Sequence, residues 1–305
     1  MASQRDVKGR ISSVRNIQKI TRAMEMVAAA RLRRAEQRIA ALRPYADAVR
    51  RMTRQAAQAA GAEASRLALM QEHETTSTVG LLLVTGDRGL AGAFNSQVIR
   101  AGVRRAGELS EEGLQSAWYA TGRRGSSSIA FRGHELAGSY TGFADRPAYA
   151  DARSVADDLI TAYVDGHLDR VEMIYNAYVS PLSQVVTRET LLPIAQATIA
   201  GEGADGADGA DQDERADEPQ PLVDYEPGAE EILRRLVPDY VEVSIYRALV
   251  ESAAGFFGAQ MTAMRNASEN AGELIATYTL QMNRARQAEI TQEIMEVVAG
   301  AEGLS

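Results

Sequence analysis

A chain of 305 residues with 45% hydrophobic content can form one large domain or two ordinary ones, each with a real core. It has no cysteine, which excludes disulfides, thiol catalysis and cysteine-ligated metals, and its three histidines (His73, His134, His167) have no metal-ligand spacing. The net charge of −8 is unevenly spread: residues 1–54 hold fourteen Lys or Arg against four Asp or Glu, whereas residues 201–220 hold eight acids and one Arg.

The opening MASQRDVKGR is charged and no apolar h-region follows, so it does not read as a secretory signal. No run approaches the ~18 apolar residues that cross a bilayer, so a soluble chain is expected, with any membrane association made through partners. From Gly9 to Pro44 there is neither glycine nor proline, and strong helix formers dominate. Apolar residues recur at Ile17, Ile20, Met24 and Val27. A seam then steps by four and three through Ala28, Leu32, Ala35, Ile39, Leu42, Ala46 and Val49. That is a heptad pattern, and because it resumes beyond Pro44 the proline is expected to kink the helix rather than end it.

Between about 79 and 192 the period changes. The β-like runs VGLLLVT, LQSAWYAT, VEMIYNAYV and QVVTRETLLP alternate with the helix-like NSQVIRAGVRRAGEL and DARSVADDLITAYVDG, which implies an α/β layer on a mostly parallel sheet. After the first strand comes TGDRGLAGAFN (Thr85–Asn95), a glycine-rich turn leading into a helix. Its glycines stand at 86, 89 and 92, which is not the G-x-G-x-x-G of a dinucleotide loop, and no Gly-Lys-Ser/Thr is present. It reads as a tight strand-to-helix turn with Asn95 as the helix cap. Arg123 and Arg124 after the next strand leave a 2′-phosphate reading open.

Residues 201–220 repeat GAD three times with almost no apolar content, the composition of a solvated, disordered loop. After Pro238 a second helix of about 60 residues is expected, with apolar positions including Ile245, Leu249, Met264, Tyr278, Met282, Ile290, Ile294 and Val297. Neither long helix can bury its stripe in a small α/β domain alone. The expected fold class is therefore α/β with a long antiparallel coiled coil: the N- and C-terminal helices pair, and a small Rossmann-like α/β domain is inserted between them. The expected divisions are an N-terminal coiled-coil helix at 1–58, the α/β domain at 75–198, the acidic insert at 199–222 and the C-terminal helix at 223–305.

Three separated segments then resemble, in order, the γ subunit family of F-type ATP synthases. They are RISSVRNIQKITRAMEMVAAARLRRAEQRIAALRPYA (10–46), DRGLAGAFN (87–95), and MTAMRNASENAGELI with NRARQAEITQEIMEVVAGAEG (283–303). The resemblance implies a central-stalk rotor, non-catalytic itself, in a proton-translocating ATP synthase. It transmits torque between the membrane c-ring and the catalytic β subunits, and regulates ATPase activity and proton flow. The implied partners are the α, β and ε subunits and the c-ring. The implied location is peripheral, on the cytoplasmic face of a bacterial cell membrane, with no direct membrane insertion. No cofactor, metal or catalytic set is expected, and a nucleic-acid arm, the other reading of the basic first helix, lacks a groove-reading module.

Roles follow position by position. Arg286, Gln287 and Thr291 match the family's contact with β, a polar catch whose charge-assisted bonds break and re-form at each step. Ile290, Ile294, Val297 and Val298 form an apolar bearing, since apolar contacts have no directional register. Ile17, Ile20, Met24 and Val27 pack the shaft. Tyr225 and Glu226, in DYEPGAEEIL, form a foot on the c-ring. The segment SAAGFFGAQM departs from the family, with Gly255 and Phe256 replacing Ser and Glu and Gln260 replacing Arg, so contacts made by those family side chains are not expected here.

Overall fold

The computed structural model describes residues 4–194 and 228–302. They fall into two compact units: residues up to Ala30 together with those from Gln260 form one, and Arg31–Ala259 form the other. The first helix and the last each contribute to both. The acidic insert at 201–220 and the proposed foot at Tyr225 and Glu226 lie outside the described residues.

The larger unit is organised by a five-stranded sheet, ordered β3-β2-β1-β4-β5. Its strands are β1 (Thr78–Val84), β2 (Gln115–Thr121), β3 (Leu136–Tyr140), β4 (Arg170–Ser180) and β5 (Ser183–Leu192). β1 pairs in parallel with β2 and β4, β2 pairs in parallel with β3, and β5 returns antiparallel to β4 across a tight turn. β1 is apolar at nearly every position because it is central and buried on both faces. Its alternate side chains feed two cores. Val79, Leu81 and Leu83 meet Val98 and Leu109 of α2 (Phe94–Glu111) and Ile129 of α3 (Arg123–Phe131). Leu82 and Val84 meet Val155, Ala156 and Leu159 of α4 (Tyr149–Val164) and the residues of the two long helices.

Those long helices are α1 (Gln4–Ala60, 57 residues) and α5 (Ala229–Glu302, 74 residues). α1 runs through Pro44, where the proline and Ala40, whose carbonyl loses its partner, are both exposed, so water can satisfy the orphaned group. α5 begins before Pro238 and passes through it as well. From Tyr240 to Gly258 it is buried on nearly all sides, with Val241, Val243, Ile245 and Leu249 in the core that also holds Val49, Ala56 and Ala57 of α1.

α3 and β3 have no counterpart in the sequence reading. RRGSSSIAF carries one buried large apolar residue, Ile129, and LAGSY is a half-exposed edge strand, so neither has a strong period. The segment entering β1 is pinned by Asp169. Its carboxylate accepts the backbone N–H of Ser77 and Thr78 (2.8 Å each), the Ser77 hydroxyl (2.9 Å) and His73 Nδ1 (2.9 Å). Burial alone would raise this carboxyl, but the bonds from His73, Ser77 and Thr78 outweigh it and hold it well below the usual carboxylate range. His73 also stacks on Tyr163, ring centroids 4.6 Å apart.

Candidate functional site

The glycine-rich turn is filled by the chain itself. A Cβ on Gly86 would stand 3.0 Å from the Phe256 ring, and one on Gly89 would stand 2.7 Å from the Arg124 guanidinium. Leu90 and Gly92 take left-handed backbone (φ 65° and 56°), which closes the turn tightly. The negative charge expected of a ligand is supplied by Asp87. Its carboxylate accepts the N–H of Arg123 at the start of α3 (3.0 Å), of Gly142 (3.0 Å) and of Ala144 (3.1 Å), so two further loops converge on one side chain. The Arg124 guanidinium thus lies against Gly89 and the Arg123 N–H is already held by Asp87. Asn95 does not cap α2, whose N-cap is Ala93. Its amide instead accepts the Gly86 N–H (2.8 Å) and donates to the Arg88 carbonyl (3.0 Å), stapling the turn across its mouth. Asp145 completes this joint by pairing with Arg31 (3.2 Å) and Arg88 (3.6 Å), and the Arg31 guanidinium lies 5.6 Å over the Phe257 ring.

The departures at Gly255 and Phe256 form one packing solution. A Cβ on Gly255 would meet Phe94 and Gln184 at 3.0 Å, and Phe256 sits edge-on to Phe94 at 5.8 Å and to Phe257 at 5.7 Å. The glycine leaves room for the Phe94 ring and the phenylalanine fills the space around it. Gln260 is half-buried.

In the smaller unit, residues 4–30 of α1 run antiparallel to α5. A Cβ on Gly272 would touch Gln18 at 3.2 Å, Thr21 meets Ser268 and Glu25 meets Arg265, so position rises on one helix as it falls on the other. The buried seam of α1 extends back from Ala28 in steps of three and four through Glu25, Thr21, Gln18, Val14, Ile11 and Val7. On α5 it runs Met264, Ser268, Ala271, Ile275, Tyr278, Met282 and Ala285. This corrects the expected shaft packing. Ile17 (52% exposed), Ile20 (59%) and Val27 (52%) lie outside the seam, and Met24 is half-buried at its edge. The reason is register: apolar stripe and seam are adjacent rows, and the row facing α5 is the one containing polar residues. Extending the four-three steps back from Ala28 through polar residues was the signal that could have found it.

Beyond Ala285 the burial of α5 stops. Every residue from Arg286 to Ala299 is exposed, including Ile290, Ile294, Val297 and Val298. Arg286 and Gln287 are exposed, and the Thr291 hydroxyl donates to the Gln287 carbonyl at 2.9 Å. The catch and bearing candidates thus share one bare stretch of helix. Arg5, Lys8, Arg10, Arg15, Lys19 and Arg22 of α1 are exposed too, giving the smaller unit a basic face. Among the described residues no cluster of His, Asp or Glu could hold a metal ion, and no helix is long and apolar enough to cross a membrane.

Compared with known proteins, the ATP synthase family matches residues 3–304. The chain is 42% identical over 306 residues to the ATP synthase gamma chain of Rubrobacter xylanophilus, covering 100% of this chain and 99% of the relative. It is 43% identical over 304 residues to that of Moorella thermoacetica, covering all of both. Among solved structures it is similar to a chain of the Tetrahymena thermophila mitochondrial ATP synthase central stalk and c-ring, with TM-score 0.57 and 26% identity over 82% of this chain and 99% of that one. A chain of the Euglena gracilis mitochondrial ATP synthase shares the fold at TM-score 0.66, with 17% identity over 99% of this chain and 94% of that one. With the paired helices, the filled glycine turn and full-length identity above two in five agreeing, the chain belongs to the ATP synthase gamma chain family.

Proposed function

We propose that this chain is the central-stalk rotor subunit of a proton-translocating F-type ATP synthase, itself non-catalytic, which carries torque between the membrane c-ring and the catalytic β subunits. The observation that carries the reading is the bare end of α5: fourteen consecutive exposed residues, 286–299, with Ile290, Ile294, Met295, Val297 and Val298 open to solvent on a helix that is otherwise seamed. Exposed apolar rows of this kind mark a surface that a partner covers. A sleeve of α and β subunits around this end suits apolar contacts, which let one surface turn against another because they have no directional register. Arg286, Gln287 and Thr291 beside them act as the polar catch on β, where an Arg fork makes and releases charge-assisted bonds. The exposed stripe of Ile17, Ile20 and Val27 faces the same sleeve from α1. Tyr225 and Glu226 are the foot on the c-ring, and ε is the remaining partner. The subunit works peripherally on the cytoplasmic face of a bacterial membrane, and by coupling rotation to catalysis it governs ATPase activity and proton flow.

Co-expression of tagged chain with α, β and ε tests this. Recovery of all four in one complex is the expected result, with ATP-driven proton pumping in membranes that falls when Ile294, Val297 and Val298 are replaced together by Asp. A chain that purifies alone under those conditions, or pumping untouched by the triple replacement, overturns the reading.

A further inference from the structure

The seam of the smaller unit carries a polar stretch: apolar Ile17, Ile20 and Val27 lie exposed, while Gln18, Thr21 and Glu25 sit in the row facing α5, Thr21 buried and the other two half-buried. These polar residues are not loosely placed. The Thr21 and Ser268 hydroxyls are 2.7 Å apart, Gln18 donates its amide to the Ser268 carbonyl at 3.1 Å, and Thr21 is only 9% exposed. Ser268 also reaches the Gln18 carbonyl at 3.4 Å, and Arg265 donates to Glu25 at 3.0 Å on the next rung. One layer, two rungs deep, therefore holds hydrogen bonds and an ion pair that join α1 to α5 in this unit.

Below it the seam is apolar and repetitive. Val7, Ile11 and Val14 face Ala271, Ile275, Tyr278 and Met282, in steps of three and four on both helices. A seam with a seven-residue period is nearly self-similar when one helix slides by seven, so apolar burial alone discriminates poorly between registers. A polar group at a core position does discriminate, at a cost in stability. We propose that the Gln18–Thr21–Glu25 layer with Ser268 and Arg265 is a register lock of the smaller unit, which keeps residues 4–30 of α1 from sliding one heptad along α5. Sliding one way sets Thr21 against Ile275 and Gln18 against Tyr278; sliding the other way sets them against Met261 and Met264. Either slip breaks these hydrogen bonds and sets the buried Thr21 hydroxyl against an apolar side chain. One heptad is about 10 Å of helix. The lock thus fixes how much of α5 stands bare beyond its pairing, and so fixes the reach of Arg286 and the bearing residues. That consequence rests on the rotor reading, but the lock itself is a property of this chain alone.

The absence of native cysteine makes the register directly readable. In the present register Val14 faces Ile275 and Val7 faces Met282; after a slip of seven, Val14 faces Met282 or Val7 faces Ile275. Cysteine pairs at these four positions in the full chain, bridged by a short bismaleimide, report each register separately. In the parent only the Val14/Ile275 and Val7/Met282 pairs should bridge. With Gln18→Leu, Thr21→Val and Ser268→Ala added, the two slipped pairs should gain roughly five- to thirty-fold in yield, the shift expected from losing one or two net hydrogen bonds. Slipped bridging in the parent, or no gain in the triple variant, overturns the lock. The milder Thr21→Ala, Ser268→Ala chain, checked for retained helicity, carries the same two outcomes if the larger replacement unfolds. Since no partner subunit is present, the bridging pattern stands or falls independently of co-purification and proton pumping.

Discussion

Two stretches of the same helix differ as much as any two regions of the molecule. Between Tyr240 and Gly258, α5 is buried on nearly every side; between Arg286 and Ala299 it is exposed on every side. Both contain β-branched and aliphatic residues: Val241, Val243, Ile245 and Leu249 in the first, Ile290, Ile294, Val297 and Val298 in the second. Hydrophobicity therefore does not tell them apart. The first stretch has a sheet, α4 and α1 to pack against, whereas the second has no neighbour in its own chain among the described residues. A large apolar side chain costs ~1.5–3 kcal/mol when left in water rather than buried, so a row of them left bare on a stable helix signals burial elsewhere.

Mutations can break this comparison from its larger side first. Ile245→Ala empties a fully buried site and should cost about 2–5 kcal/mol, visible as a large drop in the thermal midpoint of the isolated chain. A loss below about 1 kcal/mol would mean that the packing around α5 is far looser than its burial indicates. Comparable damage is expected from Gly258→Val, because a Cβ there meets the Pro181 carbonyl oxygen at 2.7 Å and backbone cannot yield as a flexible side chain can.

A polar effect of intermediate size tests the edge of the same unit. Asp169→Asn should cost about 1–3 kcal/mol at pH 7, since it weakens a carboxylate that gathers four donors. The pH dependence has a definite sign. The folded-state pKa lies below the unfolded value of about 3.9, so the stabilisation is fully present above pH ~4 and is lost as the pH falls beneath it. Denaturant midpoints of parent and variant should converge in that acidic window; a gap that persists unchanged down to pH 2 would assign the effect to packing instead.

The smallest stability effect belongs to the bare end. Val297→Ala should change the isolated chain by no more than about 0.5 kcal/mol, yet lower ATP-driven proton pumping in the assembled complex. A marked loss of stability in the isolated chain would reveal a contact within the chain that the exposed helix does not have.

Much of this was legible beforehand, and the pattern of what was missed is physical. β1, β2, β4 and β5 announced themselves because a buried strand is a dense apolar run, and the long helices because a heptad period survives over many turns. α3 and β3 escaped because each is short and presents only part of one face to a core. Asn95 has the side chain of a cap, but whether it caps or staples depended on where Gly86 and Arg88 came to rest. An apolar stripe by itself points to Ile17, Ile20 and Val27, whereas the row that faces α5 includes Gln18, Thr21 and Glu25 among its apolar members.

By itself the sequence determined that there are two very long helices flanking an α/β layer, that no thiol or disulfide chemistry occurs, and which family the signatures resemble. These follow from local quantities such as composition, period and motif order. Only the tertiary structure decided which row of α1 faces α5, that Asp87 supplies the negative charge within the glycine turn, and that among the described residues the burial of α5 ends at Ala285. Those depend on register and on contacts between residues far apart in the chain, where hydrogen-bond geometry rather than hydrophobicity chooses among arrangements that bury similar apolar area.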